Sequence, residues 1–310
     1  MYKRKKPLAD NFLQDLKVKF DEIYSATWPQ REQCLEDRRF ATIPGAQWEG
    51  DLKKQFENSP KPEVNKIMQS LIKIYDDYRR NKVTVDYVST TGEEKDSLAE
   101  ALEDLFRAAM DSSNSTEATD NTFEDGVAGG FSALRLTNQK LDDYSYDDDK
   151  QHVVIKPIYD AESSVFFDLD AKSYDKSDSK CCFVVVGMTR SKFEELYDDE
   201  VSSWDVGLVN NCNYEWVNKD EVFVAEYFEI EENKEKLFIY EDLYKEKHYY
   251  FEDQLEEEEG LSEFIEDYKF TLIEEKKVMR KRVHKYILCG NRVLEDCGYI
   301  PGRCIPIVPF

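Results

Sequence analysis

The spacing of apolar positions changes period roughly 125 residues into the chain. Before that point, apolar residues recur at helical spacing. Phe12, Leu16, Phe20 and Ile23 form one stripe. Val64, Ile67, Met68, Leu71, Ile74, Tyr75 and Tyr78 form a second, opened by "SPKPE". Leu98, Leu102, Leu105, Phe106 and Ala109 form a third. Between them, "TIPGAQWEGD" reads as a loop and "VTVDYVSTTGEEKD" as a short strand with a turn.

From about Gly126 the pattern alternates instead. "FSALRLT", "HVVIKPIY", "SVFFD", "CCFVVV", "EVFVAEYFEI", "KLFIYED" and "HKYILCG" are strand candidates. Helices are expected at "TRSKFEELYDD" and "DQLEEEEGLSEFIEDY", and an acidic surface loop at "LDDYSYDDDKQ". The expectation is an α+β chain, mainly helical over residues 1–125 and built of mixed, largely antiparallel strands over 126–310.

Composition narrows the function classes. With 310 residues, 41% of them hydrophobic, the chain can bury a sizeable core. Acids outnumber bases 66 to 42, and the net charge of −24 argues against general affinity for nucleic acid, which needs clustered Lys and Arg. No apolar run approaches the roughly eighteen residues of a membrane span. The basic start "MYKRKKPLAD" lacks the apolar stretch of a signal peptide. Seven cysteines without a disulfide-framework spacing fit a reducing compartment. The chain stops on the apolar run "IPIVPF", whereas domain ends are usually polar, and is expected to be a piece of a longer protein.

Four stretches invite a chemical reading. "FFDLDAKSYDKSDSKCCFVVV" carries Asp168, Asp170, Asp175 and Asp178. An EF-hand counted from Asp168 would need an oxygen ligand at its fifth position, Gly at its sixth and Glu at its twelfth, where this chain has Lys172, Ser173 and Ser179. A structural turn is the better reading, since Asp and Ser bond readily to their own backbone. Cys181 and Cys182 alternate faces of a strand, so only one is expected in the core; Cys289, Cys297 and Cys304 lack zinc-site spacing. His152, His248 and His284 stand without a nucleophile motif, and the paired glycines of "VAGGFSALR" lack the flanks of a phosphate loop. No catalytic residue, cofactor or metal ligand is expected.

The fourth stretch is "KKVMRKRVHK". As a strand it places Arg280, Arg282 and His284 on one face and Lys281 and Lys285 on the other. Pairing with acidic neighbours from the preceding "IEDYKFTLIEE" is the plainer expectation; a DNA or partner contact through Arg280, Lys281, Arg282 and Lys285 is the sharper one. The acidic run "EDQLEEEEG" reads as a solvated helix face.

Four blocks, in order, resemble the N-terminal half of the portal proteins of short-tailed phages. They are "VAGGFSALRL", "FFDLDAKSYDKSDSKCCFVVVGMT", "VFVAEYFEIEENKEKLFIYED" and "RKRVHKYILCGNRVLEDCGYIPGRCIPIVPF". Within them "DKSD" (Asp175, Lys176, Ser177, Asp178) is the most specific. The likeness runs from about Asp51 onward, and the chain ends one residue past the "IPIVP" run, where family members continue into stem, clip and crown. The resemblance implies a wing-like, non-enzymatic subunit of a ring, usually of twelve copies, at one capsid vertex of a phage or prophage virion made in the bacterial host cytoplasm. Such a ring docks terminase, works with capsid, scaffold and tail adaptor proteins, and passes double-stranded DNA without binding a cofactor or membrane. It also implies that the aspartate loop is a turn between two wing strands, and that this piece alone is monomeric or weakly associated. An acidic calcium-binding or protein-interaction module is the alternative.

Overall fold

A computed structural model describes residues 12–82, 84–88, 97–112, 115–140, 151–197, 201, 204, 213–242, 244–257, 265, 268, 270–290 and 292–310. Helices lead: α1 (Phe12–Thr42), α2 (Asp51–Gln55), α3 (Lys66–Arg80), α4 (Ser97–Ser112) and α5 (Ser115–Gly129). Two strands follow, β1 (Ala133–Lys140) and β2 (Gln151–Ile158), then the short α6 (Ala161–Ser164). Next come β3 (Val165–Phe167), β4 (Cys181–Thr189), α7 (Arg190–Tyr197), β5 (Glu221–Glu241) and β6 (Lys247–Phe251). The chain closes with α8 (Glu252–Glu257), β7 (Thr271–Cys289), β8 (Arg292–Ile300) and β9 (Ile307–Pro309). The fold class is α+β, helical first and antiparallel β afterwards.

The strands form two sheets, one in the order β2-β1-β9 and one in the order β3-β4-β5-β7-β8 with β6 added on β5. Every pairing among these strands is antiparallel. The larger sheet is covered on both faces. On one, α1 buries Leu16, Phe20 and Ile23 against Phe166, Cys181, Phe183 and Val185. On the other, Cys182 and Val184 meet Ala133 of β1, Ala161 of α6 and Ile307 of β9.

That second cover corrects the expectation for the cysteine pair. Cys181 and Cys182 do alternate faces, yet both are fully buried, because the strand has a core on each side. Burial pushes the Cys181 thiol up to about 11 and the Cys182 thiol well above its ordinary value, so neither is a ready nucleophile.

Other expectations shift for equally local reasons. The strand pair expected at "EVFVAEYFEI" and "KLFIYED" is one continuous strand of 21 residues, β5. The strand expected only at "HKYILCG" starts at Thr271, taking in the whole basic run. β6, β8 and β9 also join the sheets outside the strand candidates. Residues 84–88 adopt no strand. The stretch at 141–150 and most of the helix expected after Glu257 lie outside the described residues.

The helical stripes meet different fates. α3 is capped by Asn65, whose side chain accepts from the Met68 N–H at 2.8 Å, and it buries Leu71 and Tyr75. α4 has no buried residue among its described side chains: Leu98, Leu102 and Leu105 are 64, 43 and 68% exposed. The paired glycines make the expected passage from helix to strand. Gly130 sits at φ +87, donating to the Gly126 carbonyl at 2.8 Å, and a Cβ on Gly129 would lie 2.8 Å from the buried Glu162 carboxylate.

Candidate functional site

The aspartate loop joins β3 to β4 and is held by its own acids. Asp178 accepts from the backbone N–H of Lys172 at 2.7 Å and of Ser173 at 3.1 Å. The Lys172 bond, ahead of the Ser173 bond, holds the Asp178 carboxyl below its ordinary range. Asp175 accepts from the Ser177 N–H and hydroxyl, at 3.2 and 3.0 Å, and Asp168 from the Asp170 N–H. Lys176 adopts φ +53 and reaches back to donate to the Ala171 carbonyl at 2.7 Å. So the four residues of "DKSD" each shape the turn: two acids cap it, one lysine clasps it, and one serine is capped.

Carboxylates committed to N–H donors on one loop are poorly placed to converge on a cation. Millimolar calcium should therefore leave the melting midpoint of this chain unchanged to within about 1 °C, because a ligand without differential affinity for the native state adds no stability. A rise of several degrees in differential scanning fluorimetry would instead reveal a calcium site.

Among the described residues, the group close enough to share a cation lies elsewhere, at Asp242, Glu246 and His248 near the turn from β5 to β6. It too is already employed. Asp242 Oδ1 accepts from the N–H groups of Tyr244 and Glu246 at 2.8 and 2.9 Å, and Oδ2 lies 3.3 Å from His248 Nε2. Lys245, at φ +67, completes the reversal.

The basic run lies on β7, and the strand register supplies its partners. Lys281 pairs with Glu232 at 3.0 Å and Lys285 with Glu226 at 2.8 Å. Arg280 meets Glu235 at 3.0 Å and Asp253 at 2.8 Å, and stacks its guanidinium 4.0 Å from the Phe251 ring centre. Arg282 pairs with Glu235 and, at 3.1 Å, with Asp253. These acids come from β5 and α8, not from the segment just before β7 as its nearness in sequence suggests. The cause is β-pairing: Glu231, Glu232 and Asn233 stand opposite Arg282, Lys281 and Arg280.

One step along β7, His284 is buried with a carboxylate at each ring nitrogen. Nδ1 lies 3.1 Å from Glu231 and Nε2 lies 2.7 Å from Asp296 of β8. The Tyr299 hydroxyl donates to Glu231 at 2.9 Å, the Gly298 N–H donates to Asp296 at 3.0 Å, and the Tyr286 ring stacks on the imidazole at 4.1 Å. With a carboxylate within hydrogen-bond distance of each ring nitrogen, the imidazole ties three strands together. Sequence reading missed it, because the only signal is cross-strand register.

A third cluster joins the two sheets. Glu226 of β5 pairs with Arg135 of β1 as well as with Lys285 of β7. Burial alone would raise its pKa, but Arg135 and then Lys285 hold it below the ordinary carboxylate value. The arrangement as a whole is a braced β5–β7 strand pair on a two-sided core. Its charged groups act as ties.

Comparison with known proteins identifies the family. The model of the phage P22-like portal protein family matches residues 17–310. A portal protein of Acyrthosiphon pisum secondary endosymbiont phage 1 is 36% identical over 298 residues, covering 94% of this chain. The chain spans only 41% of that relative's length. A match across nearly the whole chain is decisive: this chain belongs to the family of phage P22-like portal proteins.

Proposed function

We propose that this chain is the wing-like part of a portal subunit, and that its full-length product assembles into a ring at one capsid vertex. The family match over residues 17–310 carries the reading. In that role the ring is the conduit through which double-stranded DNA enters and leaves. It docks terminase during packaging and tail proteins afterwards, with twelve copies as the expected number and the virion as its place. The chain itself does no chemistry, and its ionisable clusters serve structure. We further propose that residues 1–125 and 126–310 are helical and β-rich parts of this wing.

Two physical features support the role. The net charge of −24 repels phosphate, so DNA passing such a body is not held, and each avoided contact spares a salt-dependent drag. The cations most suited to phosphate, Arg280, Lys281, Arg282 and Lys285, already face carboxylates of the same chain. A DNA or partner contact there would have to compete with those ties, so we assign the cluster a bracing role. No helix among the described residues is long and apolar enough to cross a membrane.

Negative-stain microscopy of the full-length product tests this. Rings of about twelvefold symmetry with a central hole are expected; monodisperse ringless particles would overturn the reading. The 310-residue chain alone should run as a monomer or a weak associate in light scattering, since it spans 41% of its relative's length and losing part of the heterologous contacts that close a ring can leave a monomer. A sharp dodecamer mass for this piece would contradict that expectation.

A further inference from the structure

Two exposed helix faces carry matching patterns of opposite charge. On α3, Ile67 and Ile74 recur seven residues apart, each 46% exposed, and each follows directly on a lysine, Lys66 and Lys73. Arg80 extends the basic row by one more heptad and, like both lysines, is exposed. On α4, Leu98 and Leu105 recur at the same interval, with Leu102 between them. The exposed Asp104 directly precedes Leu105, and Asp111 extends the acidic row. Neighbouring cations are already held, Arg79 by Glu124 and Arg107 by Glu103, whereas these two rows have no ion-pair partner among the described residues.

An apolar row at heptad spacing is a helix-packing seam. α4 leaves Leu98, Leu102 and Leu105 exposed, while the half-buried Ala99, Phe106 and Met110 lie roughly 100–120° around the helix from the Leu98–Leu105 row and the half-buried Ala109 borders it. Because the charged row precedes the apolar row in both helices, the two charged rows fall on the same side only when the helices run antiparallel. A register that sets Ile74 beside Leu105 then brings Lys73 to Asp104 and Lys66 to Asp111.

We infer that α3 of one copy of this chain docks antiparallel on α4 of the next copy. The contact is heterologous, uses two different surfaces, and propagates in one direction, as closure of a cyclic assembly requires. It deepens the ring reading and rests on it.

The test uses the full-length product, prepared as an equal mixture of unlabelled and nitrogen-15-labelled subunits, coupled with a zero-length carbodiimide and analysed by mass spectrometry and microscopy. Mixed-isotope peptides joining Lys73 to Asp104 or Lys66 to Asp111 are expected. Two charge reversals complete it: Lys66→Glu with Lys73→Glu, and Asp104→Lys with Asp111→Lys. Either pair alone should lower ring yield by roughly tenfold or more, two favourable pairs having become repulsive. An equimolar mixture of the two variants should recover it, since every interface is again between opposite charges. Rings formed undiminished by both variants would overturn the docking and leave the ring reading standing. Wild-type subunits that form no rings would overturn the ring reading and the docking with it.

Discussion

Replacing Phe20 by Ala should destabilise this chain by about 3–5 kcal/mol, the range for a large aromatic removed from a core. Phe20 is 1% exposed and is the point at which α1 locks onto the sheet. Its ring lies 5.0 Å from those of Phe183 and Trp216, 5.4 Å from Tyr214 and 5.6 Å from Phe166, mostly edge-on. No neighbour can collapse into the gap without leaving its own partners, so the cavity should stay open. Urea unfolding followed by tryptophan fluorescence reads the loss directly, because Trp216 is in contact. Phe20→Leu should cost clearly less. A loss below about 1 kcal/mol for the alanine variant would mean that α1 is not docked as described.

Glu226→Ala should cost about 2–3 kcal/mol, somewhat under the figure for breaking a fully buried pair. The reduction reflects the quarter of the Arg135 and Lys285 side chains that stays exposed. The penalty arises from two cations left without their shared carboxylate where Arg135 of β1 and Lys285 of β7 meet Glu226 of β5. Replacing all three with apolar residues (Arg135→Met, Glu226→Leu, Lys285→Met) should therefore cost less than the single change.

The pH dependence has a definite sign. Glu226 has a depressed pKa in the folded state, so its stabilisation is present above the unfolded glutamate value of about 4.3 and is lost as pH falls through the folded value. The gap between wild type and Glu226→Ala, measured by urea unfolding, should hold constant from pH 7 to 5 and shrink below about pH 4. A gap that widens on acidification would show that Glu226 is not ionised in this pairing.

The elements legible in the sequence were those whose burial follows one period. The α1 stripe and the buried centre of α3 repeat at helical spacing, and β4 reads as an apolar run because it has a core on each face. β5 was read as two strands because "EENKE" interrupts its apolar alternation. There the strand continues through cross-strand ion pairs, which substitute for apolar packing and leave no periodic trace. The same substitution hid the first half of β7. His284 and its partners Glu231 and Asp296 are separated by 53 and 12 residues, so only the register of β5, β7 and β8 brings them together. The turn at Asp175–Asp178 was legible, since its side chains bond to their own local backbone.

β5 and β7 run side by side for almost their whole lengths, 21 and 19 residues. At about 3.3 Å per residue that is a ribbon roughly 60 Å long. One end is sewn into the hydrophobic core, and the other carries β6 and α8. Tension along the ribbon would load its ladder of hydrogen bonds in shear, all at once, rather than peel them open singly. Glu235 and Asp253, clasping Arg280 and Arg282 partway along, would act as cross-bracing against buckling. A push at the far end should therefore arrive at the core as a displacement of the whole ribbon. In mechanical terms the strand pair is a strut.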